Sequence, residues 1–183
     1  METEVKIPLA DLPPTLARLA AADFHVSVPR LFERNDLYDT ETLALRQKEM
    51  ILRLRQAGDK SVITWKGPGQ PGPHKSRPEL ETTLGSLPVL QEILQQLGYR
   101  RVFRYEKYRT EYASADHPGV VTLDETPIGN FLEIEGAADW IDSTALRLGF
   151  SPKEYVLDSY GKLYLTYCHH HGVEPGNMVF ASH

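Results

Sequence analysis

Seven stretches of this chain alternate their side chains at the two-residue period of a β-strand, and the charges they carry are grouped by sign. Glu2, Glu4 and Lys6 share one face, and Thr3, Val5 and Ile7 share the other. Arg53 and Arg55 oppose Leu52 and Leu54. Val62, Thr64 and Lys66 alternate with Ile63 and Trp65, and Gly67-Pro68-Gly69 ends that strand. Arg77, Glu79 and Glu81 repeat the pattern after a loop rich in Pro and Gly, and Tyr105, Lys107, Arg109 and Glu111 form another face. Residues 120–124 and 131–135 complete the set, with Asp116-His117-Pro118-Gly119 predicted as a hairpin turn.

Helical spacing is rarer. Leu12, Leu16 and Leu19 follow Asp11, a suitable cap, with Pro13 and Pro14 tolerable in a first turn. Residues 89–97 place Leu90, Ile93, Leu94 and Leu97 on one side and stop at Gly98. Residues 140–148 form a third candidate, ending at Gly149, and residues 160–167 a short helix packed on the sheet. Nothing repeats internally and no linker divides the chain, so one α+β domain over residues 1–168 is expected. Residues 169–183 then form a C-terminal tail, and His169-His170-His171 within it is read as solvated rather than metal-binding.

A length of 183 residues suits one domain with a real core, and a net charge of −5 argues against a nucleic-acid coat protein. No run approaches the roughly eighteen apolar residues of a membrane span. The N-terminal residues lack the basic and apolar regions of a secretory signal. Cys168 is a lone cysteine, which excludes an internal disulfide and fits a reducing cytoplasm.

Alternation leaves open which face is inside. An ordinary sheet puts its charged face in water. Residues two apart on a strand sit about 6.5–7 Å apart, so Glu133 beside Glu135, Glu79 beside Glu81 and Arg53 beside Arg55 crowd like charges. A sheet built for solubility alone intersperses signs. Clustered carboxylates are what hard divalent cations require, and clustered Arg and Lys are what phosphate oxygens require. Turned inward, these charges cost several kcal/mol each to desolvate. A wide, wet barrel filled by a highly charged ligand and its metals offsets that cost; a solvated face needs no ligand at all.

Taken in order, these segments resemble the CYTH family, also called the triphosphate tunnel metalloenzymes. Its hallmark Glu-x-Glu-x-Lys strand is similar to Glu2-Thr3-Glu4-Val5-Lys6. Tyr38-Asp39-Thr40, Leu52-Arg53-Leu54-Arg55, Thr64-Trp65-Lys66-Gly67-Pro68 and Arg77-Pro78-Glu79-Leu80-Glu81 resemble the next four motifs. Glu106-Lys107-Tyr108-Arg109 resembles the Lys-x-Arg strand, and Leu123-Asp124 with residues 129–135 the late acidic strands. Ser159-Tyr160 followed by Leu163 resembles the C-terminal motif. Each motif is weak alone; eight in the right order, over nearly the whole chain, are specific.

The resemblance implies an α+β fold: a closed or nearly closed antiparallel β-barrel, a tunnel, with a few helices packed outside. It implies that Glu2, Glu4, Asp124, Glu133 and Glu135 bind one or two Mg²⁺ or Mn²⁺ ions. Lys6, Arg53, Arg55, Lys66, Arg77, Lys107 and Arg109 would grip the phosphate chain, with Lys6, Lys66 and Arg53 acting in catalysis. Glu79 and Glu81 would orient the basic residues or join a metal shell, and Arg77 would equally serve as their salt-bridge partner. Tyr38 either touches a catalytic lysine or packs at a strand end, and Lys162 either reaches the tunnel mouth or is a surface helix lysine; the second role is preferred for both.

Members of the family divide between hydrolysis of triphosphates and cyclisation of ATP, and both begin with the same clamp. Ile51 stands where the thiamine triphosphatases of animals carry a tryptophan, which disfavours thiamine triphosphate. Gly98-Tyr99 followed by residues 106–109 looks like the class IV adenylyl cyclase branch. The expectation is a metal-dependent triphosphatase, with adenylyl cyclase as the alternative and a non-catalytic polyphosphate- or nucleotide-binding module as a third possibility. The expected partner is a small-molecule triphosphate, with no nucleic acid and no membrane, on a cytoplasmic monomer or homodimer.

Overall fold

A computed structural model describes residues 1–115 and 118–181, so Asp116 and His117 of the predicted turn lie outside the described residues. The elements run β1 (Glu2–Leu9), α1 (Leu12–Ala21), β2 (His25–Thr40), α2 (Ala44–Gln47), β3 (Ile51–Ala57), β4 (Lys60–Lys66), β5 (Lys75–Arg77) and β6 (Glu79–Thr83). They continue with α3 (Leu87–Gln96), β7 (Tyr99–Ala113), β8 (Val120–Thr126), β9 (Gly129–Glu135), α4 (Ala138–Arg147) and α5 (Tyr160–His171). All nine strands join one antiparallel sheet in the order β5-β1-β9-β8-β7-β2-β3-β4-β6.

The two edges of that sheet are consecutive in the chain. Arg77 ends β5 at one edge, Glu79 opens β6 at the other, and Pro78 alone separates them. One intervening residue spans at most about 7 Å, so the sheet must curl until its edges nearly meet. The pattern at residues 77–81 predicts a single strand; instead Pro78, with no N–H to donate, breaks the ladder and hands the chain across the seam. The carbonyl of Pro78 accepts from Gly67 N–H at 2.9 Å. Lys66 bridges the seam by side chain, its Nζ lying 2.5 Å from Glu2 Oε1. Backbone hydrogen bonds leave the barrel nearly closed.

The apolar strand faces point outward under the helices. Val5 and Ile7 of β1, Val121 and Leu123 of β8, and Leu132 and Ile134 of β9 pack against Leu19 of α1, Ile141 and Ala145 of α4, and Leu148 just past the end of α4. Full burial of each Leu or Ile contributes roughly 1.5–3 kcal/mol. Leu54 and Tyr38 pack under Leu90 and Leu94 of α3. Gly119 and Gly136 allow α4 to dock closely: a Cβ at either would lie 2.2 Å or 2.7 Å from the ring of Trp140.

α5 packs Tyr160, Leu163 and Tyr164 onto Phe103, Tyr105 and Phe131. It extends four residues past the predicted 160–167, so His169, His170 and His171 form its last turn rather than the start of a tail. Gly172 then reverses the chain at φ +64, the left-handed conformation usual after a helix. The following segment returns to β7, where Met178 N–H donates to Arg104 O and Glu106 N–H to Met178 O, both at 2.9 Å. Met178 is buried with the α5 aromatics, so this segment is part of the fold. Among the described residues no helix is long and apolar enough to cross a membrane.

Candidate functional site

With the apolar faces outside, the charged faces of the strands converge on one cavity of about 410 Å³. Glu2, Glu4 and Lys6 enter from β1, Arg53 and Arg55 from β3, and Lys66 from β4. Lys75 and Arg77 of β5 face Glu79 and Glu81 of β6 across the seam. Lys107, Arg109 and Glu111 of β7 and Glu133 and Glu135 of β9 complete the wall. Eight cationic and seven carboxylate side chains therefore line it, close to electrical balance.

The register explains which charges meet. Glu4 lies opposite Glu135, and Lys6 opposite Glu133, in the β1–β9 ladder. Lys6 Nζ sits 2.9 Å from both Glu4 Oε1 and Glu133 Oε1. Lys66 holds Glu2 at 2.5 Å and Glu79 at 2.9 Å. Arg109 Nη2 reaches Glu133, and its guanidinium forks onto Asp124 at 2.7 and 2.6 Å. Arg53 donates to Thr64 at 3.1 Å, and Arg55 to Glu81 at 3.2 Å.

Charges this deep shift one another. Burial disfavours the ionised form of Glu4, but Lys6 and Lys75 outweigh it and hold the carboxyl well below the usual range. Glu133 is held down against burial by Lys6, Arg109 and Lys107. Burial opposes the charge of Lys6, yet Glu133 and Glu4 raise it. At the mouth, Glu135 is pushed up to about 7, first by the protein packed round it and then by Glu2 and Glu4, with open solvent on its other side screening part of the effect. Lys75 is brought down to about 8 by burial and by Lys6.

The sequence-predicted residues divide by position. All of the predicted phosphate-gripping residues, and Glu2, Glu4, Glu79, Glu81, Glu133 and Glu135, are on the wall. Asp124 is completely buried behind it, with Lys107, Arg109 and the Tyr160 hydroxyl all bonded to its oxygens. Tyr38 packs outside the barrel with Leu54 and Leu94, the strand-end packing preferred from sequence. Lys162 is a surface lysine, 69% exposed and paired 2.7 Å from Asp158, which lies just before the start of α5.

Two contributors, Glu33 and Lys75, lie outside the set predicted from sequence. Glu33 lies on β2, a strand whose alternation is disrupted by irregularities between Val26 and Leu31 and by Pro29. Its carboxylate lies 3.6 Å from both Lys107 and Arg55. Burial works against that charge, but Lys107, Arg109, Arg55 and Arg53 prevail and lower its pKa to about 2. Lys75 stands two residues before Arg77, a same-face spacing that the sequence did offer.

Among the described residues no group of three or more carboxylates or imidazoles is gathered tightly enough to hold a metal ion by itself. The donor chemistry nonetheless fits a hard divalent cation. Glu2, Glu4, Glu133 and Glu135 lie on paired strands at one end of the cavity, and the buried Glu2 Oε2 has no hydrogen-bond partner among the described residues.

A nearly closed antiparallel barrel with an ionic interior defines a tunnel-type β-barrel protein. The chain belongs to the CYTH family: the CYTH domain model matches residues 1–144. Protein MJ0240 of Methanocaldococcus jannaschii, named as a candidate adenylate cyclase, is 24% identical over 135 residues, covering 74% of this chain and 76% of that protein. A Vibrio parahaemolyticus protein, also described as a candidate adenylate cyclase, shares the fold at TM-score 0.78 and 20% identity, over 88% of this chain and 96% of its own. HpAC1 of Hippeastrum, described as a candidate adenylyl cyclase with a dominant triphosphatase activity, superposes at TM-score 0.65 and 16% identity, over 91% and 96%.

Proposed function

We propose that this chain is a divalent-metal-dependent phosphohydrolase that takes a triphosphate, inorganic tripolyphosphate or a nucleoside triphosphate, into its barrel. The observation that carries this reading is the convergence of eight cationic and seven carboxylate side chains on a single cavity. Against so balanced a wall, a bare polyanion meets nearly as much repulsion as attraction. A polyanion entering with divalent cations satisfies both sets.

Glu2, Glu4, Glu133 and Glu135 would hold the ions, which when bound supply Lewis-acid charge to the phosphate oxygens. Lys6, Lys66 and Arg109, each now held by one or more of those carboxylates, then turn to phosphate. Arg53, whose buried Nε has no hydrogen-bond partner among the described residues, and Arg55 and Arg77 add planar forks. Lys6, Lys66 and Arg53 neutralise charge on the transferring phosphoryl group. Asp124 holds Lys107 and Arg109 at the angles that aim them into the cavity.

Cyclisation of ATP is the second reading, favoured by the name of the M. jannaschii relative. Hydrolysis is preferred because the aromatic liners are not offered as a platform for adenine. Tyr105 and Tyr160 are buried against each other, Phe103 and Phe131 at centroid distances of 5.6–6.0 Å. Ile51 on the same wall is aliphatic and gives no ring to stack on, which also disfavours thiamine triphosphate.

Phosphorus NMR of reactions with tripolyphosphate, ATP and thiamine triphosphate, under Mg²⁺ and then Mn²⁺, tests the proposal. Orthophosphate with the shortened product supports hydrolysis; pyrophosphate with a cyclic nucleotide replaces it with cyclisation. Tight binding without turnover, unaffected by E4Q or E133Q, indicates a binding module.

A further inference from the structure

We infer that Lys75 is a further phosphate-gripping residue of this cavity, adding a cation to the β1–β5 wall that raises affinity for the triphosphate chain; this rests on the triphosphate reading above. No motif of the family resemblance includes it. Its placement is fixed from both sides. In the β1–β5 ladder Glu4 pairs with Lys75, Thr3 with Ser76 and Glu2 with Arg77. Lys75 and Arg77 therefore share the inward face with Glu4 and Glu2, while the hydroxyls of Thr3 and Ser76 meet at 2.9 Å on the opposite face and lock the register. The preceding residue, His74, is buried, with Nε2 2.8 Å from Asp142 Oδ1 on α4; the Tyr155 hydroxyl donates to that same oxygen at 3.0 Å.

A purely structural role accounts poorly for this lysine. Its Nζ lies 2.5 Å from Glu4 Oε1, the same oxygen that Lys6 Nζ approaches at 2.9 Å. Glu4 therefore has two ammonium groups on one oxygen, Lys6 being shared with Glu133 at 2.9 Å, and it keeps Lys6 when Lys75 turns to a ligand. Lys75 keeps a side chain 14% exposed, on the cavity wall, with no second carboxylate within ion-pair distance among the described residues. Glu135 stands across Glu4 on the same rung, so a phosphoryl group drawn to the acidic end of the cavity arrives beside Lys75. A flexible ammonium at that point serves as a mobile point charge for phosphate oxygens.

The test compares wild type, K75Q and K75R with inorganic tripolyphosphate and Mg²⁺, reading KM and kcat, and reads Kd for the bridge-nitrogen analogue imidotriphosphate by calorimetry. A charge-assisted contact predicts that K75Q raises KM and Kd roughly ten-fold or more, with kcat within about threefold. K75R, which keeps the cation, should restore most of the affinity. A folded K75Q with unchanged KM and Kd overturns the inference. So does a K75R as impaired as K75Q, or a K75Q that cannot fold, since either marks a structural lysine. A wild type that neither binds nor turns over tripolyphosphate removes the triphosphate reading itself, a result distinct from these.

Discussion

Changing Asp124 to Asn separates a carboxylate that braces the barrel from one that serves only a ligand. Asp124 is 0% exposed, and its two oxygens accept from Lys107 Nζ at 2.8 Å, Arg109 Nε at 2.7 Å, Arg109 Nη2 at 2.6 Å and the Tyr160 hydroxyl at 2.7 Å. Asn is nearly isosteric, so no cavity opens. It removes the charge and turns an N–H₂ toward groups that are all donors. Removing one partner of a buried ion pair costs about 3–5 kcal/mol. Glu133 still holds Arg109, and Glu33 still faces Lys107, which sets the expected loss near the lower bound, about 3 kcal/mol.

In a domain of this size each kcal/mol moves Tm by about 2–4 °C, so D124N should melt roughly 6–12 °C below wild type. Thermal melts followed by circular dichroism at pH 7.5 with EDTA measure this without any contribution from bound metal. E135Q is the matched control: the Glu135 carboxyl sits beside Glu2 and Glu4 and is pushed up to about 7, so removing its charge should not lower Tm. A D124N protein that melts within 2 °C of wild type would refute the bracing role, and an E135Q loss equal to that of D124N would refute the electrostatic ranking behind it.

Three further outcomes are expected. Glu33 has a folded pKa of about 2 against 4.5 for a free glutamate side chain, so its contribution of about 3 kcal/mol is present above pH 4.5 and lost as pH falls through 2. Urea unfolding should therefore show E33Q weaker than wild type by about that amount at pH 7, with the gap closing toward pH 2. G136A would drive a Cβ to 2.7 Å from Trp140 Cε3 and should cost about 1–3 kcal/mol, read by chemical unfolding with tryptophan fluorescence. Mn²⁺ affinity, followed by electron paramagnetic resonance, should tighten roughly ten-fold when imidotriphosphate is present, because the carboxylates and the lysines and arginines that hold them are released together; equal affinity with and without the analogue would contradict coupled loading.

Most of the site is legible in the sequence because it is built on strand alternation. Glu2, Glu4 and Lys6, or Lys107 and Arg109, are two apart, and two-residue spacing alone puts them on one wall. What the sequence hides depends on contacts between distant segments. β2 is interrupted by register shifts that erase its period, so Glu33 and its pairing with β7 carry no local signature. The pattern at residues 77–81 reads as one strand because periodicity is blind to which neighbour each half pairs with; β5 joins β1, and β6 joins β4. Asp124 has the parity of a wall residue, yet three donors close over it, and no spacing rule anticipates that. The return of the chain to β7 rests on Met178 and on Phe180, which packs on Tyr108, in a stretch too short and irregular to show any period.

The question that alternation leaves open, which face is inside, has an answer in the helices. α1 buries Leu19, α3 buries Leu94, and α4 buries Ile141, Ala145 and Leu148 with the turn that follows it; each needs an apolar partner surface. The strands offer one at Val5 and Ile7, at Leu132 and Ile134, and at Leu54, on the faces opposite the charges. Docking the helices there forces the charged faces to the concave side of the sheet. The hydrophobic stripes of three helices therefore decide the electrostatics of the cavity. The fold tolerates that interior because Glu4, Asp124 and Glu133 each meet an ammonium or guanidinium group within about 3 Å, and Glu33 meets two at 3.6 Å. A barrel of this kind stands with its charges paired internally, and on the function proposed above those pairs are what a triphosphate and its metal ions would exchange.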